Sequence, residues 1–566
     1  MSTAEFPCRD LLSDEEIGLT AEGFDATENA LGRRWRWALG EEQRIRFAAS
    51  SARHAVYLTV EFPNPESWLR VFCGERLVFE HRSTRARESR AAFFSIAHGP
   101  GPTELRFLSN PPPAPAGQDR RALAYVVKEL RIVPAELSGA AARPTPASLC
   151  AFPFVMSYLE HRAQPGPCCW APLFRDGGVR HSTTQSDAGG HRGGEPTGNG
   201  LAGRYWNHPE LKALRVQMLA GVRPASCADC YRLEDRGGES LRRLFNAEYL
   251  EAALPRIARV GHDGTMPEGP YGLDLRLGNL CNLKCRMCFP IRSSALLQEH
   301  NEVYGADFSD DAESGKWLKD PARMDELVHA CAGLEEIRLV GGEPFVMPEF
   351  TTLLRELVER GIARDLRLVF HTNCTVLREE PLALLKQFRE VTCLVSLEGV
   401  REVNDFIRFP SKFAQVERNL RRLADERAQL GITRLELTTT VQVHNVTHLP
   451  ELLTYLRENF RDIAWLPNFL LLYEPAPFSI TVLSAQGKRT ARATLEDFLD
   501  RERAVWREKP AAFGSVPFPV VEERLRSVLR YLDSADDSRL APEFRRVHAS
   551  LDRARGQRGP SLEGLL

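Results

Sequence analysis

The chain has 566 residues, 27% of them charged, with a formal net charge of -2 and thirteen cysteines. At roughly 150 residues per domain it must fold as several units, and each can bury a sizeable core. The balanced charge leaves no surplus of Lys and Arg to neutralise phosphates, which argues against a nucleic-acid or membrane-surface protein; thirteen cysteines are too few for a disulfide scaffold. No apolar run reaches the eighteen or so residues of a membrane span, and Met1 to Cys8 lacks the basic segment and apolar core of a signal peptide. A soluble, cytoplasmic protein in a reducing compartment is expected. The scattered Cys8, Cys73, Cys331, Cys374 and Cys393 read as small buried hydrophobes.

After a flexible N-terminus over 1–17, residues 18–134 predict an all-β sandwich. Its strands are Arg34 to Trp37, Gln43 to Ala48, Ala55 to Phe62, Trp68 to Phe72, Arg76 to Phe79, Ala92 to Ile96, Thr103 to Leu108 and Ala122 to Val133. Pro63-Asn64-Pro65, Cys73-Gly74 and Gly99 to Pro102 punctuate them, and the proline-rich 110–117 reads as a loop. This unit is similar to small β-sandwich modules appended to carbohydrate-related enzymes, and that likeness implies a glycan or glycolipid ligand. A cysteine-rich unit follows over 150–255. Its insert 176–200, rich in Gly, Ser, Thr and His, cannot bury a core and is expected to be a mobile loop, with no role for His181 or His191. Pro209 opens a helix with Leu211, Leu214, Met218 and Leu219 at helical spacing, and Gly221 ends it.

Over 268–485 strands and helices alternate, which implies parallel pairing through helical crossovers. The strands are Tyr271 to Leu277, Glu336 to Val340, Leu366 to His371, Thr392 to Leu397, Leu435 to Val441 and Ile463 to Leu472; Pro348 to Arg360, Phe413 to Leu430 and Leu449 to Phe460 are helices between them. Six such units give a partial, open (β/α)6 TIM-like barrel of the α/β class. The extension 486–566 is helical, with elements at Leu495 to Trp506 and Val520 to Leu532, and shows no chemistry of its own.

Directly after the first of these strands, Cys281, Cys285 and Cys288 are spaced CxxxCxxC. Three thiolates on one loop can hold three corners of a cubane iron-sulfur cluster and leave the fourth iron open. Gly341-Gly342-Glu343-Pro344 follows the second strand, where glycines permit close backbone approach and Glu343 can accept from an ammonium group. Strand, cysteine loop, helix, strand and GGEP together resemble the radical S-adenosylmethionine (SAM) enzymes. The resemblance implies a three-quarter barrel, a 4Fe-4S cluster whose open iron binds SAM, and reductive cleavage to a 5′-deoxyadenosyl radical that takes a substrate hydrogen. It places the SAM amino group at Gly341, Gly342, Glu343 and Pro344, and the ribose at Ser396 and Glu398, where the family often has Asp. It also implies SAM contacts from Asn373, although Cys374 replaces the usual following glycine. Arg408 would reach the SAM carboxylate, and Thr439, Val441 and Gln442 would lie near the adenine. Asn279 and Asn282 are positioned to hydrogen-bond the loop or the cluster sulfurs, or simply to form turns.

A second cysteine group comprises Cys150, the adjacent Cys168 and Cys169, and Cys227 with Cys230 in a CxxC pair. Side chains of adjacent cysteines diverge, so one of Cys168 and Cys169 would complete a set of four. The arrangement resembles the twitch subgroup of the radical SAM family, with Phe154 where members tend to carry Trp. The resemblance implies an auxiliary 4Fe-4S cluster, a ferredoxin or flavodoxin electron donor, and a peptide or protein substrate. A four-cysteine zinc site, a saccharide or lipid-linked sugar substrate, a methyl or methylthio transferase, and a non-catalytic iron-sulfur or zinc scaffold are the competing readings.

Overall fold

The computed structural model describes residues 9–10, 19–22, 28–30, 33–39, 42–48, 53–62, 67–83, 88–97, 102–110, 123–134, 148–160, 164–171, 201, 203, 205–219, 221–257, 259–261, 263–305 and 316–566. The expected insert 176–200, with His181 and His191, lies outside them, as does most of 1–17. The chain divides into two compact units. The first comprises Met1–Val155, Asn207–Ala228 and Arg242–Glu268, and the second Met156–Trp206, Asp229–Leu241 and Gly269–Leu566.

In the first unit, two antiparallel sheets form from strands with apolar residues at every second position. One runs in the order Glu28–Ala30, Arg33–Leu39, Leu123–Pro134, Arg53–Phe62, Glu88–Ala97, with Arg9–Asp10 also pairing with Leu123–Pro134. The other runs Leu19–Glu22, Glu42–Ala48, Pro102–Ser109, Trp68–Cys73, Arg76–Arg82. Val56, Leu58, Val60 and Phe62 from the first sheet meet Ile45, Leu69, Val71, Leu105 and Phe107 from the second in one apolar cluster. The helix Pro209–Leu219 also belongs here. Its Arg215 is fully buried and donates to the carbonyls of Pro153 (2.8 Å) and Gly264 (3.2 Å), and burial draws its pKa down to about 9.

The second unit is built on one sheet in the order Gln164–Gly166, Met156–Glu160, Gly272–Arg276, Glu336–Val340, Arg367–Thr372, Glu390–Ser396, Ile432–Val441, Ala464–Leu471. Gln164–Gly166 pairs antiparallel with its neighbour; every other pairing is parallel. One correction to the sequence reading follows: the sheet has a seventh parallel strand, Met156–Glu160. Residues 150–255 are divided between the two units. Met156–Glu160 is buried along its whole length, and it pairs with Gly272–Arg276 from Met156 beside Gly272 to Leu159 beside Leu275.

Strand alternation sorts side chains onto two faces. Leu273, Leu275, Ile337, Leu339, Leu368, Phe370, Val391 and Val395 turn toward the helices and join a continuous core. Phe350, Leu353, Leu354 and Leu357 of the helix Pro348–Glu359 enter that core. Each buried apolar side chain of this size stabilises the fold by about 1.5–3 kcal/mol. The opposite face carries Asp274, Arg276, Glu336 and Arg338, all buried. Three long helices, Ala485–Glu508, Phe518–Asp533 and Ala541–Arg555, contribute Leu495, Leu525 and Leu551 to the same core. Parallel pairing gathers the C-terminal ends of the strands along one edge, and the sequence motifs lie in the loops that leave it.

Candidate functional site

The cysteine loop leaves the strand Gly272–Arg276 and is closed at its base by short-range hydrogen bonds. Asn279 Nδ2 donates to the Pro290 carbonyl (2.9 Å), Ser294 N–H to the Asn279 carbonyl (2.7 Å), and Ser293 Oγ to the Leu283 carbonyl (2.7 Å). Asn279 therefore forms the loop. Two neighbouring segments brace it from outside. From one side, the main chain of Lys284 and Arg286 donates to the carbonyls of Phe409 (2.6 Å) and Ile407 (2.9 Å).

On the other side lies the GGEP turn. Gly342 N–H donates to the Gly278 carbonyl (2.8 Å) and Glu343 N–H to the Leu280 carbonyl (2.9 Å). A Cβ on Gly341 would stand 2.3 Å from the Gly278 oxygen, and one on Gly342 would stand 2.1 Å from the Leu280 oxygen. Gly341 also has φ of +134°, a conformation that side chains oppose. The two glycines thus permit the close approach of one loop backbone to another, at the base of the cysteine loop.

Glu343 is 1% exposed. Its Oε1 accepts from Thr372 Oγ1 (2.7 Å) and Phe345 N–H (3.3 Å), and its Oε2 from Asn373 N–H (2.6 Å). Burial outweighs these donors and pushes its pKa up to about 7. The Asn373 side chain joins the strand end to the cysteine loop. Its Nδ2 donates to Asn282 Oδ1 (3.0 Å) and lies 3.9 Å from Cys281 Sγ, while Asn282 Nδ2 donates to Thr375 Oγ1 (2.8 Å). Cys374, at the position where the resemblance expects glycine, has φ of +58° and is fully buried. The backbone therefore keeps the left-handed conformation that glycine would favour.

Arg408 reaches the site from the segment that braces the loop. Its Nη2 is 2.5 Å from Glu398 Oε1 and its Nη1 is 3.8 Å from Cys285 Sγ. Its Nε is buried without a hydrogen-bond partner. Burial opposes its charge, but Glu398 and Cys285 hold its pKa above the usual arginine value. Glu398 is completely buried; its second oxygen accepts from Thr440 N–H (2.7 Å), and burial raises its pKa despite Arg408. Ser396 stands on the strand face opposite the core residues Val395 and Leu397. Val441 packs into the core, and Thr439 Oγ1 donates to the Leu397 carbonyl (2.6 Å). Both side chains are thus engaged within the fold. Gln442 is buried, with its side-chain oxygen 3.2 Å from His444 Nδ1.

The three cysteines lie on a loop clamped at several points. Burial pushes Cys281 and Cys285 up to about 12 and raises Cys288, and each thiol is raised further by a neighbour in the set or opposed by Arg408. Thiols so placed need a positive centre to ionise, which iron supplies. Among the described residues no three His, Cys, Asp or Glu side chains converge on a point that would hold a single metal ion. A cubane takes each thiolate on a different iron, so its ligands need not converge in that way. The donor set and the unpartnered Arg408 Nε fit a cluster with an anionic ligand beside it.

A further group of residues was missed in the sequence. Arg286, inside the CxxxCxxC motif, has a fully buried side chain that pairs with Asp552 and lies 3.1 Å from Gln557 Oε1; its guanidinium lies 3.6 Å over the Phe406 ring. Arg555 pairs with Glu299 at 2.5 Å, and Glu299 is 3.9 Å from Lys284 of the loop. The C-terminal extension is therefore part of the site. Only an arginine between motif cysteines hinted at this.

The second cysteine group is spread over both units. In the first, Cys150 is buried, and its neighbours are fixed by Asn246, which accepts from Ala151 N–H (2.7 Å) and donates to the Leu149 carbonyl (2.9 Å). Cys227 ends the turn Ala225–Cys227. In the second, Cys169 is pushed up to about 12 by burial and sits within electrostatic range of Asp274, Arg292 and Arg276. Cys288 lies within electrostatic range of the same two arginines. Cys169 and Cys230 both act on the Tyr473 hydroxyl, and Cys168 is half-buried nearby in the chain.

Residues 275–437 match the family model described as the radical SAM superfamily. Over 179 residues the chain is 30% identical to Fe-coproporphyrin III synthase of Methanosarcina barkeri, covering 31% of this chain and 39% of that protein. It is 28% identical over 204 residues to the tungsten-containing aldehyde ferredoxin oxidoreductase cofactor-modifying protein of Pyrococcus furiosus, covering 35% of this chain and 52% of that one. Among solved structures it is similar to SuiB of Streptococcus suis bound to S-adenosylmethionine, at 15% identity and a TM-score of 0.27, over 45% of this chain and 50% of that one. The chain thus spans about half or less of the length of these relatives. It carries a domain of the radical SAM superfamily.

Proposed function

We propose that the protein is a radical SAM enzyme that modifies a peptide or protein, with Cys281, Cys285 and Cys288 holding a 4Fe-4S cluster. When bound, the reduced cluster supplies the electron that cleaves SAM to a 5′-deoxyadenosyl radical, which takes a hydrogen atom from the substrate. The observation that carries the reading is the clamped cysteine loop, held between the GGEP turn and the Ile407 to Phe409 segment by four backbone hydrogen bonds. In this reading Glu343 receives the SAM ammonium, whose charge would restore the carboxylate that burial disfavours. Arg408, kept cationic by Glu398, offers its free Nε to the SAM carboxylate. Asn373 holds the loop at Cys281, and Ser396 and Glu398 stand toward the ribose, with Gly341, Gly342 and Pro344 shaping the turn beneath.

Cys150, Cys227, Cys230 and one of Cys168 and Cys169 would hold an auxiliary 4Fe-4S cluster. The buried Arg276 pairs with Glu160, and Glu336 pairs with Arg338 (3.7 Å) and Arg367 (2.9 Å), so these charges are balanced within the fold and the peptide reading rests on the resemblance to the twitch subgroup. The test is anaerobic reconstitution followed by SAM and dithionite. 5′-Deoxyadenosine should form with wild type and be absent with Cys285→Ala. No product from a fully loaded wild type would favour the scaffold reading. Peptide libraries and oligosaccharides in separate incubations then decide the substrate class.

A further inference from the structure

Beyond Cys288 the chain turns on the Phe289 carbonyl, which accepts from the N–H groups of Arg292 (2.9 Å) and Ser293 (3.0 Å), and Ser293 is tied back to the cysteine loop through the Leu283 carbonyl. This turn fixes Arg292 at the exit of the loop, where three segments come together. Its charge acts on Cys288, on Cys169 and on the hydroxyl of Tyr473, which lies just past the end of the strand Ala464–Leu471. Tyr473 in turn meets the ring of Trp170 edge-on, with 4.6 Å between centroids. Arg292 is half-buried, yet its side chain has no hydrogen bond and no carboxylate within ion-pair distance among the described residues. Each of the other buried or half-buried arginines described in the second unit pairs with a carboxylate. Arg367 with Glu336 (2.9 Å), Arg457 with Glu502 (2.6 Å) and Arg503 with Glu522 (2.7 Å) are examples. Asp229, the carboxylate that also acts on Tyr473, is paired with Arg232 instead. The nitrogens of Arg292 all reach solvent, unlike the buried Nε of Arg408.

A guanidinium drawn half out of water without a partner costs free energy, which a bound anion offsets. Its planar fork matches a carboxylate, two parallel N–H donors meeting two oxygens. We propose that Arg292 anchors the substrate by a carboxylate, held between the Cys288 end of the cluster loop and the pair Trp170 and Tyr473. The inference rests on the peptide-modifying radical SAM reading above and narrows it. The peptide carries an Asp or Glu side chain, or its own C-terminal carboxylate, close to the hydrogen that is removed. A single cation balances a single charge, and a phosphate dianion would leave a net negative charge beside the Cys288 thiolate of a loaded cluster, so a carboxylate is the better match.

The test uses the full, anaerobically reconstituted chain and the arginine reagent p-hydroxyphenylglyoxal, with modification at Arg292 followed by mass spectrometry. The probes are blocked pentapeptide libraries of uncharged residues in three forms: with a central glutamate, with a free C-terminal carboxylate, and with neither. One of the two carboxylate libraries should slow labelling of Arg292 at least about five-fold, and the neutral library less than about two-fold. Which of them protects tells a side-chain carboxylate from a C-terminal one. Arg292→Gln should bind the protecting library at least about ten-fold more weakly by calorimetry, and Arg292→Lys, which keeps the charge and loses the fork, should lie between. Equal protection by all three libraries, or by none, overturns the proposal. Protection by SAM alone overturns it as well, because the carboxylate would then be that of SAM. If Arg292→Gln takes up less iron than wild type, the labelling of wild type judges the proposal by itself, and absence of protection there assigns the guanidinium to the cluster and overturns the substrate role. If wild type makes no deoxyadenosine with SAM and dithionite, the radical SAM reading fails, while the protection pattern still judges the arginine.

Discussion

Substituting Gly342 by alanine tests whether the GGEP turn acts as a brace for the cysteine loop. The added Cβ would stand 2.1 Å from the Leu280 oxygen, 2.6 Å from the Leu280 carbonyl carbon and 2.9 Å from that of Asn279. All are backbone atoms, so no side chain can rotate away. To reach the 3.4 Å of ordinary contact the two loops must part by about 1.3 Å. That displacement breaks the hydrogen bonds from Gly342 and Glu343 to the Gly278 and Leu280 carbonyls, each worth about 1 kcal/mol, and overpacking adds roughly 1–3 kcal/mol. A loss of about 3–5 kcal/mol is expected, together with a fall in iron bound after anaerobic reconstitution. Gly361→Ala is the control. Gly361 has φ of +71° and nothing within 4 Å of its added Cβ, so it carries only the backbone cost of about 1 kcal/mol and should retain its iron. Thermal unfolding and iron analysis of both variants decide the matter. If Gly342→Ala melts with the control and binds as much iron as wild type, the brace does not exist as described.

Glu343 makes the apoprotein sensitive to pH. Its folded pKa of about 7 lies above the ordinary 4.5, so its contribution is fully present below pH 4.5 and is lost as pH rises through 7; the change is roughly 3 kcal/mol. Unfolding of apoprotein from pH 5 to 8 should therefore show wild type losing stability relative to Glu343→Gln, and parallel curves would contradict the buried carboxylate. Asp552→Ala leaves the buried Arg286 charge without its partner and should cost about 3–5 kcal/mol in urea unfolding, with less iron bound, whereas Arg286→Met/Asp552→Leu should recover most of that loss. In Cys281→Ala/Cys285→Ala/Cys288→Ala, about four irons should remain against about eight in wild type if the second cysteine group holds a cluster. Zinc or no metal in the variant would remove the auxiliary cluster.

The barrel strands from Glu336 to Leu471 were readable because each is a short apolar run between amphipathic helices, and the register of the motifs after them followed. Met156–Glu160 was not. It precedes the cysteine loop by more than a hundred residues, and only its parallel pairing with Gly272–Arg276 shows that it belongs to the barrel. The residue types of the site were also legible, because CxxxCxxC and GGEP announce themselves by spacing. Their partners were not. Asn279 closes a turn, the glycines serve loop against loop, and Thr439 and Val441 face the core, since a one-residue difference in strand phase decides which face a side chain occupies. The role of the C-terminal helix depended on pairings such as Arg286 with Asp552 and Glu299 with Arg555, which no local pattern encodes.

The burial of Arg286 also bears on the order in which the protein is made. The loop that carries Cys281, Cys285 and Cys288 encloses a cation whose counter-charge, Asp552, lies 266 positions later in the chain. During synthesis at about 5–20 residues per second, tens of seconds would separate the appearance of the loop from that of its neutralising partner. Throughout that interval the arginine has water as its best environment, and the loop gains little by closing around it. Closure of this loop is thus expected only after Asp552 has been made, and nascent chains stalled before Asp552 should show the loop open to solvent.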